Sequence, residues 1–213
     1  MNRTSFLIAL VVILLLHSMV RPQSEELPKF EVAGEFTTLE RGDFSGRRTD
    51  PGFGGRFTYN LNKIFSLEGA GYFFPKGCFD CRQNGRVTEV LGGVKVGKRF
   101  DSWGIFAKAR PGIISFSQGD FEVVPQGAGL PFLIKTNNLN GFAADIGGVV
   151  EFYPSKRIVT RFDAGDTIVH IPGRTRNFFQ FDPVTGGTKL VPFHIPGRTT
   201  HNFQFMTSIG FRF

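Results

Sequence analysis

The last thirteen residues constrain the fold of this chain more than any other stretch. Between positions 201 and 213, the odd positions 203, 205, 209, 211 and 213 carry Phe or Ile, whereas the even positions carry polar, small or flexible side chains. Because successive side chains of a β-strand point to opposite faces, one face is apolar and the other mostly polar. Such a face must be buried, either in a protein core or against lipid. The stretch predicts a β-strand of a soluble β-protein or of a membrane barrel.

The N-terminus carries an export signal. Arg3 precedes an unbroken apolar run over residues 6–16, and a polar segment that contains proline follows. A basic start, an apolar run of about a dozen residues and a polar exit are typical of a secretory signal peptide. A membrane-spanning helix would need roughly 20 apolar residues. We therefore expect residues 1–24 to be a cleaved signal peptide, with cleavage between positions 18 and 24, and residues 25–213 to form one domain.

Eight segments of alternating character follow, separated by clusters of Gly, Pro, Asn and Asp that are typical of turns. In one of them, Val90 and Val94 alternate with Glu89 and Lys95. Each segment predicts a strand with one apolar and one polar face. The predicted strands cover residues 30–38, 53–60, 64–74, 86–99, 103–113, 141–152, 157–170 and 201–213.

The connections between these strands alternate in length. Short connections cover residues 61–63, 100–102 and 153–156, whereas long polar loops cover 39–52, 75–85, 115–140 and 171–200. Tight turns at one end and longer loops at the other are typical of a transmembrane β-barrel. A soluble barrel would have its charged face on the outside, and its short connections would not be restricted to one end. The sequence predicts an all-β, eight-stranded antiparallel up-and-down transmembrane barrel.

Basic and acidic side chains are nearly balanced on the polar faces of these strands. An eight-stranded barrel is only wide enough for side chains to fill, and an unpaired buried charge is costly. We therefore predict that the inward charges pair across a closed lumen. The central members of this network are Arg56, Glu68, Glu89, Lys95, Lys108, Arg110, Asp145, Glu151, Arg161 and Asp163. Further inward charges are expected at Glu31, Glu35, Arg99, Arg157 and Arg212.

The whole segment after the signal resembles the small eight-stranded outer-membrane barrels of the OmpA- and OmpX-like group. The resemblance rests on the alternation of strands and loops, on residues 50–60, 97–100 and 147–154, and on the aromatic strand that ends in Phe213. It implies a bacterial outer-membrane location, with membrane lipid, lipopolysaccharide and the barrel-assembly machinery as partners. It also implies that Phe211 and Phe213 belong to the assembly signal.

The charge of the chain is modestly basic. Loss of residues 1–24 removes Arg3 and Arg21 and no acid, which lowers the formal net charge from +7 to +5. This excess does not predict a nucleic-acid partner, but basic loop residues could contact lipopolysaccharide phosphates. Arg41, Arg47 and Arg48 are the candidates in the first long loop, although solvated loop charge is the ordinary alternative.

The two cysteines of the chain, Cys78 and Cys81, lie in the second long loop. In an exported protein such a pair predicts a disulfide. Free thiols, redox chemistry and metal binding are the alternatives, and a redox role would need a helix N-terminus beside the first cysteine to lower its pKa. No helical pattern surrounds the pair.

Histidines in or beside the last long loop raise the possibility of a rim-active enzyme. Ser208 and His201 stand seven residues apart on one strand, roughly 23 Å, so they cannot form a nucleophile–base pair. Asp163 or Asp166 could approach His170 or His201 across neighbouring strands, for which a rim ion pair is the ordinary explanation. The remaining histidine of this region, His194, has no spacing that predicts a metal site.

The last long loop contains a repeat. The hexapeptide at residues 170–175 recurs at residues 194–199. A duplication that lengthened the loop is the simplest account. We expect the second copy to lead into the closing strand, and the first copy could form an additional strand pair above the membrane. Exposed Ile171, Phe178, Phe179 and Phe193 would then form an apolar binding surface.

These observations favour a non-catalytic outer-membrane barrel, without cofactor or metal, that has a salt-bridged closed lumen and long extracellular loops. We expect a role in envelope integrity or surface interaction. The alternatives are a rim-active hydrolase of lipid A or peptides, and a small binding barrel or narrow channel.

Overall fold

The computed structural model describes residues 28–43, 46–75, 85–124, 133–183 and 186–213. The expected signal peptide, Cys78 and Cys81 lie outside these residues. No helix in the described part is long and apolar enough to cross a membrane. The strands are β1 (Phe30–Asp43), β2 (Gly46–Asn60), β3 (Phe65–Phe74), β4 (Val87–Arg99), β5 (Trp103–Val124), β6 (Leu133–Phe152), β7 (Ile158–Ile171), β8 (Arg174–Asp182), β9 (Gly187–Ile195) and β10 (Arg198–Arg212).

Eight of these strands form a closed barrel in the order β1-β10-β7-β6-β5-β4-β3-β2. Every neighbouring pair is antiparallel. The barrel closes where β1 pairs with β10, from Glu31 opposite Arg212 to Glu40 opposite Phe203. Phe30 and Phe213 extend this seam by exchanging two backbone hydrogen bonds of 2.9 Å. The predicted eight-stranded up-and-down barrel is confirmed.

The outer wall of the barrel is apolar. On β10, Phe203, Phe205, Ile209 and Phe211 all face outward, whereas the alternate residues, such as Gln204, Met206 and Ser208, face the lumen. Phe213 lies ten positions after Phe203. At a rise of about 3.4 Å per residue and a tilt of about 40°, this distance corresponds to a band roughly 26 Å tall. The band matches the apolar belt, about 25 Å tall, of a barrel that spans a membrane.

The short connections, at residues 61–64, 100–102 and 153–157, lie at one end of the barrel. At the other end, the prediction of long polar loops is wrong for two of the four. β1 and β2 remain paired up to Asp43 and Gly46, and β5 and β6 up to Val124 and Leu133. The strands continue because the ladder depends on backbone hydrogen bonds, which polar residues form as well as apolar ones.

The repeated hexapeptides lie beside each other at this outer end. The barrel ladder between β7 and β10 ends with Ile171 opposite Arg198, and a separate two-stranded sheet, β8–β9, begins with Arg174 opposite Ile195. A Pro-Gly pair, at residues 172–173 and again at residues 196–197, separates the two ladders. Pairing stops there because proline has no N–H to donate. A side chain at Gly173 would place its Cβ 3.1 Å from the Gly197 nitrogen. The prediction that the second copy leads into the closing strand is confirmed, as is the additional strand pair.

Candidate functional site: the filled lumen and the outer hairpin

The register of the barrel turns the polar face of each strand toward the lumen. All ten residues of the predicted central network are buried there, none of them more than 5% exposed. Glu31, Glu35 and Arg212 are buried as well. The prediction for Arg157 is wrong, since this residue is exposed. It lies in the β6–β7 turn, one residue before β7 begins, and therefore outside the alternation of the strand.

Arg161 lies at the centre of the network. Its guanidinium donates hydrogen bonds to Asp163, with Nε 2.5 Å from Oδ1, and to Glu68, with Nη2 3.1 Å from Oε2. Glu68 also lies 3.5 Å from the Lys95 ammonium group, which pairs with Glu151. The side chains come from β3, β4, β6 and β7, so the ion pairs cross the lumen and connect distant strands.

A second group of ion pairs lies on the β5–β6–β7 side of the lumen. Lys108 Nζ is 2.8 Å from Asp145 and 3.2 Å from Asp163. Arg110 reaches Asp145 at 2.5 Å. Asp145 is therefore shared by two cations, as is common where charges must be neutralised in a small volume.

Aromatic rings cover charges near the end with the short turns. The guanidinium of Arg212 lies 4.2 Å from the centroid of the Tyr153 ring, and that of Arg99 lies 5.7 Å from it. Both cations also lie 3.6 Å from Glu31. Stacking of a guanidinium on an aromatic face adds attraction beyond the ion pair, so this end is closed by packed side chains.

Glu89 differs from the other acids of the network. It accepts a hydrogen bond of 3.1 Å from the Gln204 amide, which also donates to Thr37. Its second oxygen is buried without a hydrogen-bond partner among the residues that the structure describes. Val87 and Leu91, which flank Glu89 on the same inward face of β4, are apolar and buried.

An apolar layer lies in the lumen toward the outer end, among buried polar side chains such as Asp50, Thr167 and Gln204, and the sequence analysis missed it. Its members face inward from the outer ends of the strands and are almost completely buried. They include Leu39, Phe74, Val87, Leu91, Ile114, Phe116, Leu139, Val169 and Ile171. The sequence did contain a signal for this layer, because Val87 and Leu91 occupy odd positions of β4, as the inward Glu89 does. On several other strands the alternation of inward apolar residues was not recognised, because the outer ends of those strands had been assigned to polar loops.

The β8–β9 hairpin is fastened to β5. Asp120 accepts hydrogen bonds from Arg174, at 3.0 Å, and from Arg176. The hydrogen bond to Asp120 raises the pKa of the Arg176 guanidinium above its ordinary value. Phe178 packs edge-on between Phe121, at 5.8 Å, and Phe193, at 5.7 Å. One face of the hairpin is therefore anchored to the barrel.

Several aromatic residues of the hairpin are exposed. Phe181 is 64% exposed, and Phe179 and Phe193 are also largely exposed. Ile171, which the sequence analysis placed on this surface, is buried in the lumen instead. It faces inward because it still belongs to β7, one residue before the Pro-Gly interruption.

His170 and His201 make separate contacts on the outer wall. His201 Nδ1 lies 2.6 Å from Asp166, and His170 Nδ1 lies 2.9 Å from the Thr199 hydroxyl. Asp163 contacts neither histidine, because it faces the lumen. Within the described ranges, no hydroxyl or thiol forms a hydrogen bond with His201, and no group of three or more His, Cys, Asp or Glu is placed to hold a metal.

The same architecture occurs in solved structures of bacterial outer-membrane proteins. Ail of Yersinia pestis, solved with the heparin analogue sucrose octasulfate, aligns over 88% of this chain and 100% of its own, with a TM-score of 0.50 and 10% identity. The chain has the fold of a small outer-membrane β-barrel. Neisserial surface protein A covers 89% of this chain and 100% of its own at a TM-score of 0.49 and 12% identity.

OprG of Pseudomonas aeruginosa also aligns with the barrel, over 91% of this chain and 99% of its own, with a TM-score of 0.47 and 13% identity. No protein-family model and no curated protein sequence matches the chain. At these identities the likeness shows the fold alone.

Proposed function

We propose that this chain is a non-catalytic barrel of the bacterial outer membrane, with a closed lumen and with an outer hairpin that mediates surface contact. The observation that carries the proposal is the filling of the lumen. Charged side chains pair across its inner part, and a layer of buried apolar side chains lies above them. An ion that entered from outside would have to pass between these buried, packed side chains and lose its hydration water, which is costly.

Conductance across a planar lipid bilayer tests the closed lumen. We expect the reconstituted barrel to leave the conductance of the bilayer at its baseline. Stepwise openings of uniform size would contradict the proposal and favour the alternative of a narrow channel.

The hairpin supports the second part of the proposal. Its anchored face, which carries Arg176, Phe178 and Phe193, packs on β5, whereas Phe179 and Phe181 on the other face stay exposed. Isolated two-stranded hairpins are marginally stable in water. An anchored hairpin with exposed aromatic rings therefore favours a role in contact with apolar surfaces.

The structure allows the hairpin to be removed without disturbing the barrel. Ile171 and Arg198 are directly paired, so an Asn-Gly dipeptide in place of residues 172–197 would join them by a two-residue turn. We expect cells that produce this variant to display a folded barrel and to attach less to polystyrene than cells with the full chain. The double variant Phe179→Ser and Phe181→Ser, which leaves the anchoring contacts in place, should also attach less.

The double variant Gln180→Ser and Lys189→Ser is the matched control, because it changes exposed polar residues of the same hairpin. It should retain attachment. Equal attachment by all variants would refute the role of the hairpin and leave the closed barrel untouched.

A rim-active hydrolase has less support. Its best candidate pair, Asp166 and His201, lies on the outer wall, and Ser208 instead accepts a hydrogen bond from Arg56 inside the lumen. Similarity of fold to other barrels does not indicate that this chain catalyses a reaction.

A further inference from the structure

Basic side chains ring the end of the barrel that carries the short turns. Asp101 is the one acidic side chain exposed at this end of the described chain. Two other cations, Arg99 and Arg212, point inward and lie near Glu31. The rim therefore presents a surplus of positive charge to its surroundings. Its exposed cations are Lys29, Lys63, Lys98, Lys156 and Arg157.

Two of these lysines lie beside each other where β3 begins and β4 ends. The Gly97 N–H donates a hydrogen bond of 3.0 Å to the carbonyl oxygen of Ile64. Lys63 directly precedes Ile64, and Lys98 directly follows Gly97. Neither lysine forms an ion pair with a residue that the structure describes. Because like charges on neighbouring strands repel each other, an anion close to both lysines would stabilise this corner of the rim.

An aromatic pair lies next to Lys98. The ammonium nitrogen of Lys98 is 5.2 Å from the centroid of the Phe100 ring, which stacks on Trp103 with 4.4 Å between the ring centroids. Cation–π attraction keeps the ammonium group close to the outer wall. Aromatic rings of this kind form the girdle at each edge of a membrane barrel. Lys98 is therefore held at the level of the lipid headgroups.

The two lysines follow directly on the apolar outer wall. On β4, Val94 faces outward four positions before Lys98, and on β3, Phe65 faces outward two positions after Lys63. Lysines at such an edge extend their ammonium groups into the headgroup region. Because short turns are periplasmic in barrels of this type, this edge lies in the inner leaflet of the outer membrane. That leaflet consists of phospholipid, whereas lipopolysaccharide occupies the outer leaflet.

We infer that Lys63 and Lys98 bind the headgroup of an anionic phospholipid of the inner leaflet. The phosphate lies between the two ammonium groups, and the acyl chains follow the apolar wall beside Trp103. A zwitterionic headgroup binds less well, because it brings an ammonium group of its own close to two cations. The inference rests on the proposed membrane location, to which it adds a ligand and a site.

Quenching of Trp103 tests the inference at the site itself, since this is the one tryptophan of the chain. The barrel is reconstituted in vesicles with equal amounts of phosphatidylglycerol and phosphatidylethanolamine, and either lipid in turn carries brominated acyl chains, which quench a tryptophan in contact with them. We expect phosphatidylglycerol to be enriched about tenfold around Trp103, because each cation near an anionic headgroup contributes a factor of about three to five after screening by salt. Lys98→Gln should lower the enrichment to about threefold, and the double variant Lys63→Gln, Lys98→Gln should abolish it.

The matched control is the double variant Lys135→Gln, Lys189→Gln, which removes two exposed lysines at the opposite end of the barrel and changes the net charge equally. It should keep the enrichment. Equal quenching by both lipids in the unaltered chain would overturn the inference, as would full enrichment in the double variant of Lys63 and Lys98.

Two salts of equal ionic strength separate a lipid site from a site for free phosphate. Equal, small decreases of the enrichment in sodium chloride and in sodium phosphate would support the lipid site. Loss of the enrichment in sodium phosphate alone would assign the two lysines to a free phosphate ion and overturn the inference. If neither brominated lipid quenches Trp103, the chain is not in the bilayer and the proposed membrane location is refuted, so the two failures are distinguishable.

Discussion

Replacement of Arg161 by methionine tests the lumen network at its centre. Arg161→Met keeps an unbranched side chain of similar length but removes the charge and all donors. In the native barrel, the guanidinium donates four hydrogen bonds, two to Asp163 and two to Glu68. The change therefore leaves two buried carboxylates without their main partner.

The remaining contacts set the size of the effect. Loss of one partner from a buried ion pair costs about 3–5 kcal/mol. Glu68 keeps Lys95 at 3.5 Å and Arg56 at 3.6 Å, and Asp163 keeps Lys108 at 3.2 Å. Because these cations still neutralise the acids in part, we expect the lower end of the range, a loss of about 3 kcal/mol in the free energy of unfolding.

Urea unfolding in lipid vesicles measures this loss. Trp103 is the one tryptophan of the chain and lies on the outer wall, so its emission reports contact with lipid. Arg157→Met is the control, since Arg157 is exposed, and it should change the free energy of unfolding by less than about 0.5 kcal/mol. The double variant Arg161→Met, Glu68→Met removes one charge of each sign and should recover part of the stability, because the neighbouring cations keep other partners, Arg56 with Glu35, Lys95 with Glu151 and Lys108 with Asp145. A cost for Arg161→Met no greater than that of the control would refute the reasoning.

Three further predictions concern the apolar layer, the hairpin anchor and the seam. Phe74→Ala should lower the free energy of unfolding by about 3–5 kcal/mol in the same assay, because it opens a cavity among buried apolar side chains; an unchanged midpoint would contradict the packed layer. Asp120→Asn should weaken the anchor of the hairpin and accelerate tryptic cleavage after Arg176 while the barrel remains resistant; equal cleavage rates would contradict the anchoring role. Deletion of Phe213 removes two backbone hydrogen bonds and a ring contact with Phe30, and should slow barrel assembly in a time course of detergent-resistant folding; an unaltered rate would contradict a role for the seam.

The barrel could be predicted from the sequence because its two faces differ chemically on every strand. A period-two pattern fixes which side chains share a face, so the inward position of residues such as Lys95 and Arg161 followed from parity alone. The ends of the strands could not be predicted in the same way. Beyond the apolar band, both faces of the outer extensions carry polar residues, as in the stretch around Thr136 and Asn137, so the pattern that identifies a strand disappears.

The juxtaposition of Glu40, Phe203 and Asp166 at the outer end of the barrel could not be predicted, because it depends on register between strands that are far apart in the sequence. Glu40 and Phe203 are neighbours through the seam that closes the barrel, and Asp166 joins them from β7. The sequence indicated that Asp166 and His201 could approach each other, which their distance of 2.6 Å confirms. It gave no indication that a phenylalanine of the closing strand lies between two acids.

Electrophoretic mobility of the outer-membrane fraction, with and without boiling, tests the central claim most directly. A closed membrane barrel resists detergent in the cold and unfolds when boiled, so the account predicts two different mobilities for the protein from the membrane fraction. A single mobility, with the protein recovered from the soluble periplasm, would contradict it. The apolar outer wall would then have to be buried against protein and not against lipid.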